Sequence, residues 1–174
     1  MAQKKKVIVF YSWQSDSPKK TNLNAIRNAL KAAGKAIEVA RPDLAVVSDE
    51  ATRDTSGSPN IALKILEKIA TADVFIADLT TITSPRAKRP CPNPNVNYEL
   101  GYAVGELGWD RVILLFNTAF GKFPGDLPFD IIQQRASPYK LVEADPHSAH
   151  KPLEDLVKTA ILAVQYGQFW SRRG

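Results

Sequence analysis

A single cysteine, Cys91, and two histidines, His147 and His150, are all that this 174-residue chain offers to a disulfide or a soft metal ion. One cysteine excludes an internal disulfide framework, and two histidines three residues apart make no metal-binding cluster. No apolar run approaches the ~18 residues that a membrane-crossing helix needs. The opening MAQKKKVIVFYSW begins basic, but its apolar stretch is too short for a signal-peptide core and turns polar at QSD. No Gly/Ser-rich linker interrupts the chain, and 44% hydrophobic content is enough for a real core. A single domain over residues 1–174 is therefore expected, cytoplasmic, without metal or bound cofactor and without a membrane partner.

The net charge is +5, with basic groups at Lys4 to Lys6, Lys19 and Lys20, Arg86, Lys88 and Arg89, and Arg172 and Arg173. Such groups suit a phosphorylated ligand or nucleic acid, but basic runs at chain ends are commonly solvated. Zinc-finger spacing, an RNP-like box and a clear helix-turn-helix are all missing, so nucleic acid is not expected as a partner.

Four apolar runs stand out: KVIVFYSW at 6–13, LAVVSD at 44–49, DVFIADL at 73–79 and RVILLF at 111–116. They are rich in Val, Ile and Phe and do not alternate with polar residues, as expected of strands covered on both faces. A weaker fifth strand is expected near YKLVEA at 139–144. Apolar residues recur at helical spacing over 21–38, 59–71, 94–108 and 152–169. This alternation predicts a parallel α/β sheet with helices on both faces. Ligands of such sheets bind beyond the C-terminal strand ends, where strand order reverses. That rule selects Tyr11, Ser12, Trp13, Asp49 and Asp78, with Glu99 arriving in the crossover after Asp78. The long proline-rich basic loop 80–94 is a further candidate, able to hold phosphates.

Asn93 followed by Pro94 reads as a helix N-cap with proline in the first turn. Val96, Leu100, Ala103 and Leu107 then form the buried stripe, and Glu99, three residues after Val96, borders it. A carboxylate there complements the helix dipole, or else it serves a site.

VIVFYSWQSD, RDTSGSPNI, ADVFIADLT and PNVNYELGYA, in that order, resemble bacterial TIR-like domains, most of all the nucleotide-binding branch found in anti-phage defence proteins. The resemblance spans about residues 6–140. A strand-end Asp followed by an ELG helix is also similar to nucleoside 2-deoxyribosyltransferases. The TIR resemblance implies a flavodoxin-like three-layer sandwich with a five-stranded parallel sheet, NAD⁺ as substrate rather than cofactor, and Glu99 as the catalytic glutamate. It also implies self-assembly into a homo-oligomer through the loop containing Arg53, Asp54 and Gly57. With no second domain expected to sense a cue, a separate sensor or effector protein is a further expected partner. The stretch NPNVNYE departs from many catalytic TIR domains, which place a Ser and a Cys just before the glutamate.

The chemistry fits one carboxylate. Cleaving a ribosyl bond passes through a cation-like sugar, which a carboxylate stabilises or captures covalently. Nicotinamide leaves a pyridinium centre as a neutral base and needs no acid, whereas a purine leaves best when protonated. Asp78 is the candidate acid, or a cap for the turn after its strand. Tyr11, Trp13, Tyr98 and Tyr102 are candidates to stack a base, Ser12 to contact ribose and Arg53 to contact phosphate, with Asn97 a further substrate-binding candidate. The expected function is NAD⁺ cleavage at the nicotinamide–ribose bond, releasing linear or cyclic ADP-ribose. The alternatives are deoxyribosyl transfer and a non-catalytic nucleotide-binding adaptor.

Overall fold

The computed structural model describes residues 4–50, 60–83 and 88–171, with side chains as far as residue 167. Arg53, Asp54, Gly57 and Arg86 lie outside the described residues.

Five parallel strands form one sheet in the order β2-β1-β3-β4-β5. They are β1 (Lys5–Ser12), β2 (Leu44–Asp49), β3 (Val74–Asp78), β4 (Val112–Asn117) and β5 (Ala136–Tyr139). Four long or medium helices cover it: α1 (Leu23–Ala40), α2 (Ile61–Ala70), α3 (Pro94–Leu107) and α5 (Lys151–Ser171), with a single turn, α4 (Phe129–Ile132), before β5. This is the flavodoxin-like three-layer sandwich, and no described helix is long and apolar enough to cross a membrane.

The strands look uniformly apolar because they feed two cores by turns. On β1, Val7, Val9 and Tyr11 join α1 and α5 in one core, while Phe10 joins α2 and α3 in the other, stacked on Phe75 at 5.9 Å. β3 divides the same way, Val74 and Ile76 to the α1/α5 side, Phe75 and Ala77 to the α2/α3 side. Successive side chains on a strand point to opposite faces, so the final residues of each strand can be assigned by counting.

The helix boundaries fall within three residues of those expected, and β5 does not extend as expected. The expected strand at 139–144 lies instead at 136–139, where it pairs with β4, and beyond it a side-chain clamp takes over. Asn117 Nδ2 donates to the Leu141 carbonyl at 3.0 Å while its Oδ1 accepts from the Leu141 N–H at 3.2 Å. The buried backbone of residue 141 is thus satisfied by an amide side chain instead of a neighbouring strand.

Asn93 caps α3 as the sequence predicts, its Oδ1 accepting from Asn95 N–H at 2.8 Å with Pro94 following. Gly108 ends the same helix at φ 76°, a conformation that only glycine adopts without strain.

Candidate functional site

In the order β2-β1-β3-β4-β5 the direction of winding reverses between β1 and β3, so the crevice beyond their C-terminal ends is the favoured ligand position. Ser12 closes β1 there, paired in register with Ala77. Both residues face the α2/α3 layer. Glu99 comes down from α3 on the same side, and the Ser12 hydroxyl donates to Glu99 Oε2 at 2.5 Å. Two residues 87 positions apart therefore meet at the switch point.

Glu99 is half-buried. Burial pushes its pKa above the ordinary 4.5, because the charged form loses hydration, and the Ser12 hydrogen bond pulls it partly back by favouring the anion. Oε1 takes no hydrogen bond from a described residue.

The other strand-end candidates sort by face. Tyr11 and Asp78 alternate with Ser12 and Ala77 and so point into the α1/α5 layer, where both are 0% exposed. Asp78 Oδ1 accepts from the Thr80 N–H and Oδ2 from Asn22 Nδ2, each at 3.0 Å. Burial raises its pKa, with Thr80 and Asn22 acting against that shift. The Tyr11 hydroxyl has no hydrogen-bond partner among the described residues, and burial followed by the nearby Asp78 holds its pKa well above the usual phenol range. Of the residues expected to touch substrate, Tyr11 and Asp78 present no surface here, and neither shares a face with Glu99. Asp78 is the cap of the turn after β3.

Trp13 also turns to the α1 side. Its ring lies under the Arg27 guanidinium, 5.5 Å from the centroid, and Arg27 holds Glu50 through two nitrogens at 2.5–3.1 Å. Asp49 lies on the α2 side and takes the Lys68 ammonium at 2.9 Å while accepting from the Glu50 N–H at 2.7 Å. That carboxylate is engaged in an ion pair, with 25% of its side chain exposed.

On α3, successive residues turn by about 100°. Tyr102 thus lies about 60° from Glu99 by that turn, on the same border of the buried stripe, and packs half-buried against the α2/α3 core. Asn97 lies about 160° from Glu99, on the far border, with its Oδ1 buried and unpartnered among the described residues. Those two expected substrate contacts are therefore separated, Tyr102 beside the carboxylate and Asn97 away from it. Tyr98 is 64% exposed on the outer face. Lys88 and Arg89, the described cations of the 80–94 loop, are exposed.

Gln14 was not selected from the sequence. It is 2% exposed and ties three segments of the site together. Its only sequence signal is a polar residue directly following an apolar run.

No family model matches the sequence, and no curated protein matches it. Among solved structures, the chain is similar to a 2-desoxiribosyltransferase from Leishmania mexicana, at 23% identity and a TM-score of 0.40 over 64% of this chain and 65% of that one. It is also similar to a mutant flavo di-iron protein from Thermotoga maritima, at 11% identity and a TM-score of 0.46 over 95% of this chain and 36% of that one. The chain thus matches less than two thirds of the length of either protein.

Proposed function

We propose that this chain breaks the N-ribosyl bond of a nucleotide or nucleoside, with Glu99 as the carboxylate that meets the sugar cation. The observation behind this reading is the Ser12–Glu99 pair, a half-buried carboxylate fixed at the β1/β3 switch point. Ser12 occupies Oε2, which leaves Oε1 to approach the anomeric carbon. As the bond to the base nitrogen breaks, its electron pair leaves with the base, and the carboxylate stabilises the resulting sugar cation until a water, losing its proton to solvent, adds to C1′.

NAD⁺ asks least of such a site. Nicotinamide departs as a neutral base without a proton, and Asp78, the other carboxyl at the switch point, is sealed beneath the sheet end by its hydrogen bonds. A reaction that needs no acid fits that arrangement, and NAD⁺ glycohydrolysis in the TIR manner is the first reading, with nucleotide depletion or signalling in bacterial immunity as its proposed role. Assembly of several copies on activation belongs to that reading.

A second reading is deoxyribosyl transfer. The burial that raises the Glu99 pKa also makes its anion more nucleophilic, which suits a covalent ester to C1′ that a second base then displaces. Chromatography of the protein incubated with NAD⁺, and separately with deoxyadenosine and a second free base, distinguishes the two. Nicotinamide release supports the first reading and base exchange the second. Neither product at high protein concentration would contradict both.

A further inference from the structure

Gln14 lies two residues beyond the end of β1, and its side-chain amide is used at both ends. Nε2 donates to the Thr80 carbonyl at 2.7 Å and to the Ser17 hydroxyl at 3.2 Å, and Oε1 accepts from the Asn93 N–H at 2.9 Å. The partners fix the amide's orientation, because a backbone carbonyl can only accept and a backbone N–H can only donate. They also belong to three different segments: the start of the β1–α1 loop, the turn after β3, and the N-cap of α3. Asn93 is tied to the first of these a second time, by Nδ2 donating to Asp16 Oδ2 at 2.6 Å.

The short hydrogen bond at the candidate site spans the same segments. Ser12 precedes Gln14 by two residues. Glu99 follows Asn93 by six, about 9 Å along a helix rising ~1.5 Å per residue. A catalytic group must be held to within about half an ångström, and a helix pivoting at its N-terminus moves a side chain about 9 Å away by more than that for a tilt of only a few degrees. The pivot of α3 is where Gln14 grips it.

We infer that Gln14 is a positioning residue, whose side-chain amide locks the N-terminus of α3 to the ends of β1 and β3 and thereby sets the Ser12–Glu99 separation. Its consequence for turnover rests on the N-ribosyl chemistry proposed above, whereas its consequence for geometry does not. Gln14→Met keeps the length of the side chain and removes its bonds to Thr80, Ser17 and Asn93, leaving the Asn93–Asp16 bond in place.

The test follows the Glu99 carboxyl carbon by NMR titration in the unaltered protein, Gln14→Met, Ser12→Ala and Lys31→Ala. Burial holds the Glu99 pKa up and the Ser12 hydrogen bond holds it down, so Ser12→Ala should raise it. Gln14→Met, which loosens α3 and both influences, should shift it from its value in the unaltered protein, and Lys31→Ala, on the exposed face of α1, should leave it unchanged. On a substrate that the unaltered protein turns over, kcat should fall about tenfold or more in Gln14→Met while KM stays within about threefold, the pattern of a lost transition-state contact. A folded Gln14→Met with Glu99 titrating as in the unaltered protein would overturn the inference. Should that variant not fold, amide exchange of Asn93 in the unaltered protein decides, since the clamp requires protection of at least ~10²-fold and exchange at the free rate contradicts it. A shifted titration in a protein that cleaves no N-ribosyl bond would leave the clamp standing and remove only the proposed reaction.

Discussion

Glu99 ionises at higher pH in the folded chain than in the unfolded one, because part of its hydration is lost on folding. The stability its proton contributes is complete below the unfolded pKa, near 4.5, and is lost as pH rises through the folded value. At neutral pH the charged carboxylate is therefore held at a cost to stability, as a group retained for chemistry is expected to be. Glu99→Gln removes the titration, so its stability relative to the unaltered chain should increase as pH rises from 4.5 through the folded pKa, measured by urea unfolding at several pH values. A difference that stays flat would mean that Glu99 is not buried enough to matter. Ser12→Ala removes the bond that holds the pKa down, so it should raise that pKa further, and it should slow turnover by about tenfold as the carboxylate loses its hydroxyl partner.

At the scale of elements, the strand ends decide which residues can act together. Asp78 serves the turn after β3. Asp78→Ala would strand the Thr80 N–H and weaken the hold on Asn22 in a fully buried place, which should cost about 3 kcal/mol in chemical denaturation. An unchanged midpoint would show that water or a rotated partner replaces the carboxylate.

The same elements show what the sequence made legible. Non-alternating apolar runs announced the sheet, and Asn93-Pro94 announced α3, because caps and covered strands leave local signals. The two faces of the sheet were not legible. Both are apolar, so nothing in KVIVFYSW or DVFIADL marks Ser12 and Ala77 as facing one layer and Tyr11 and Asp78 the other. Helical spacing alone separates Asn97 from Glu99, a distinction that a motif match passes over. β5 lies at 136–139 instead of 139–144, and Asn117 offers residue 141 both a donor and an acceptor, a substitution by one side chain that strand propensity cannot register.

For the molecule as a whole, the layer that carries Glu99 also leaves apolar side chains in water. Ile61, Leu63 and Tyr98 are 54%, 59% and 64% exposed on α2 and α3. Covering such side chains is one way that association of copies would be favoured, at roughly 25 cal/mol per Å² of apolar surface removed from water. Specific activity is accordingly expected to rise with protein concentration, and Leu63→Ser with Tyr98→Ser to weaken that rise. Activity that is constant over a hundredfold dilution, with light scattering reporting a monomer throughout, would make the single chain a complete enzyme.

The most direct measurement compares the unaltered chain with Glu99→Gln at equal concentration, following nicotinamide release from NAD⁺ and base exchange from deoxyadenosine by chromatography, with thermal unfolding recorded on the same samples. Glutamine keeps the size and the hydrogen-bonding reach of the side chain and removes only the charge that would face the sugar cation. Turnover should fall at least ~10²-fold while the folded state is as stable as before or more so at neutral pH. Turnover by Glu99→Gln equal to that of the unaltered chain would contradict the assignment of Glu99.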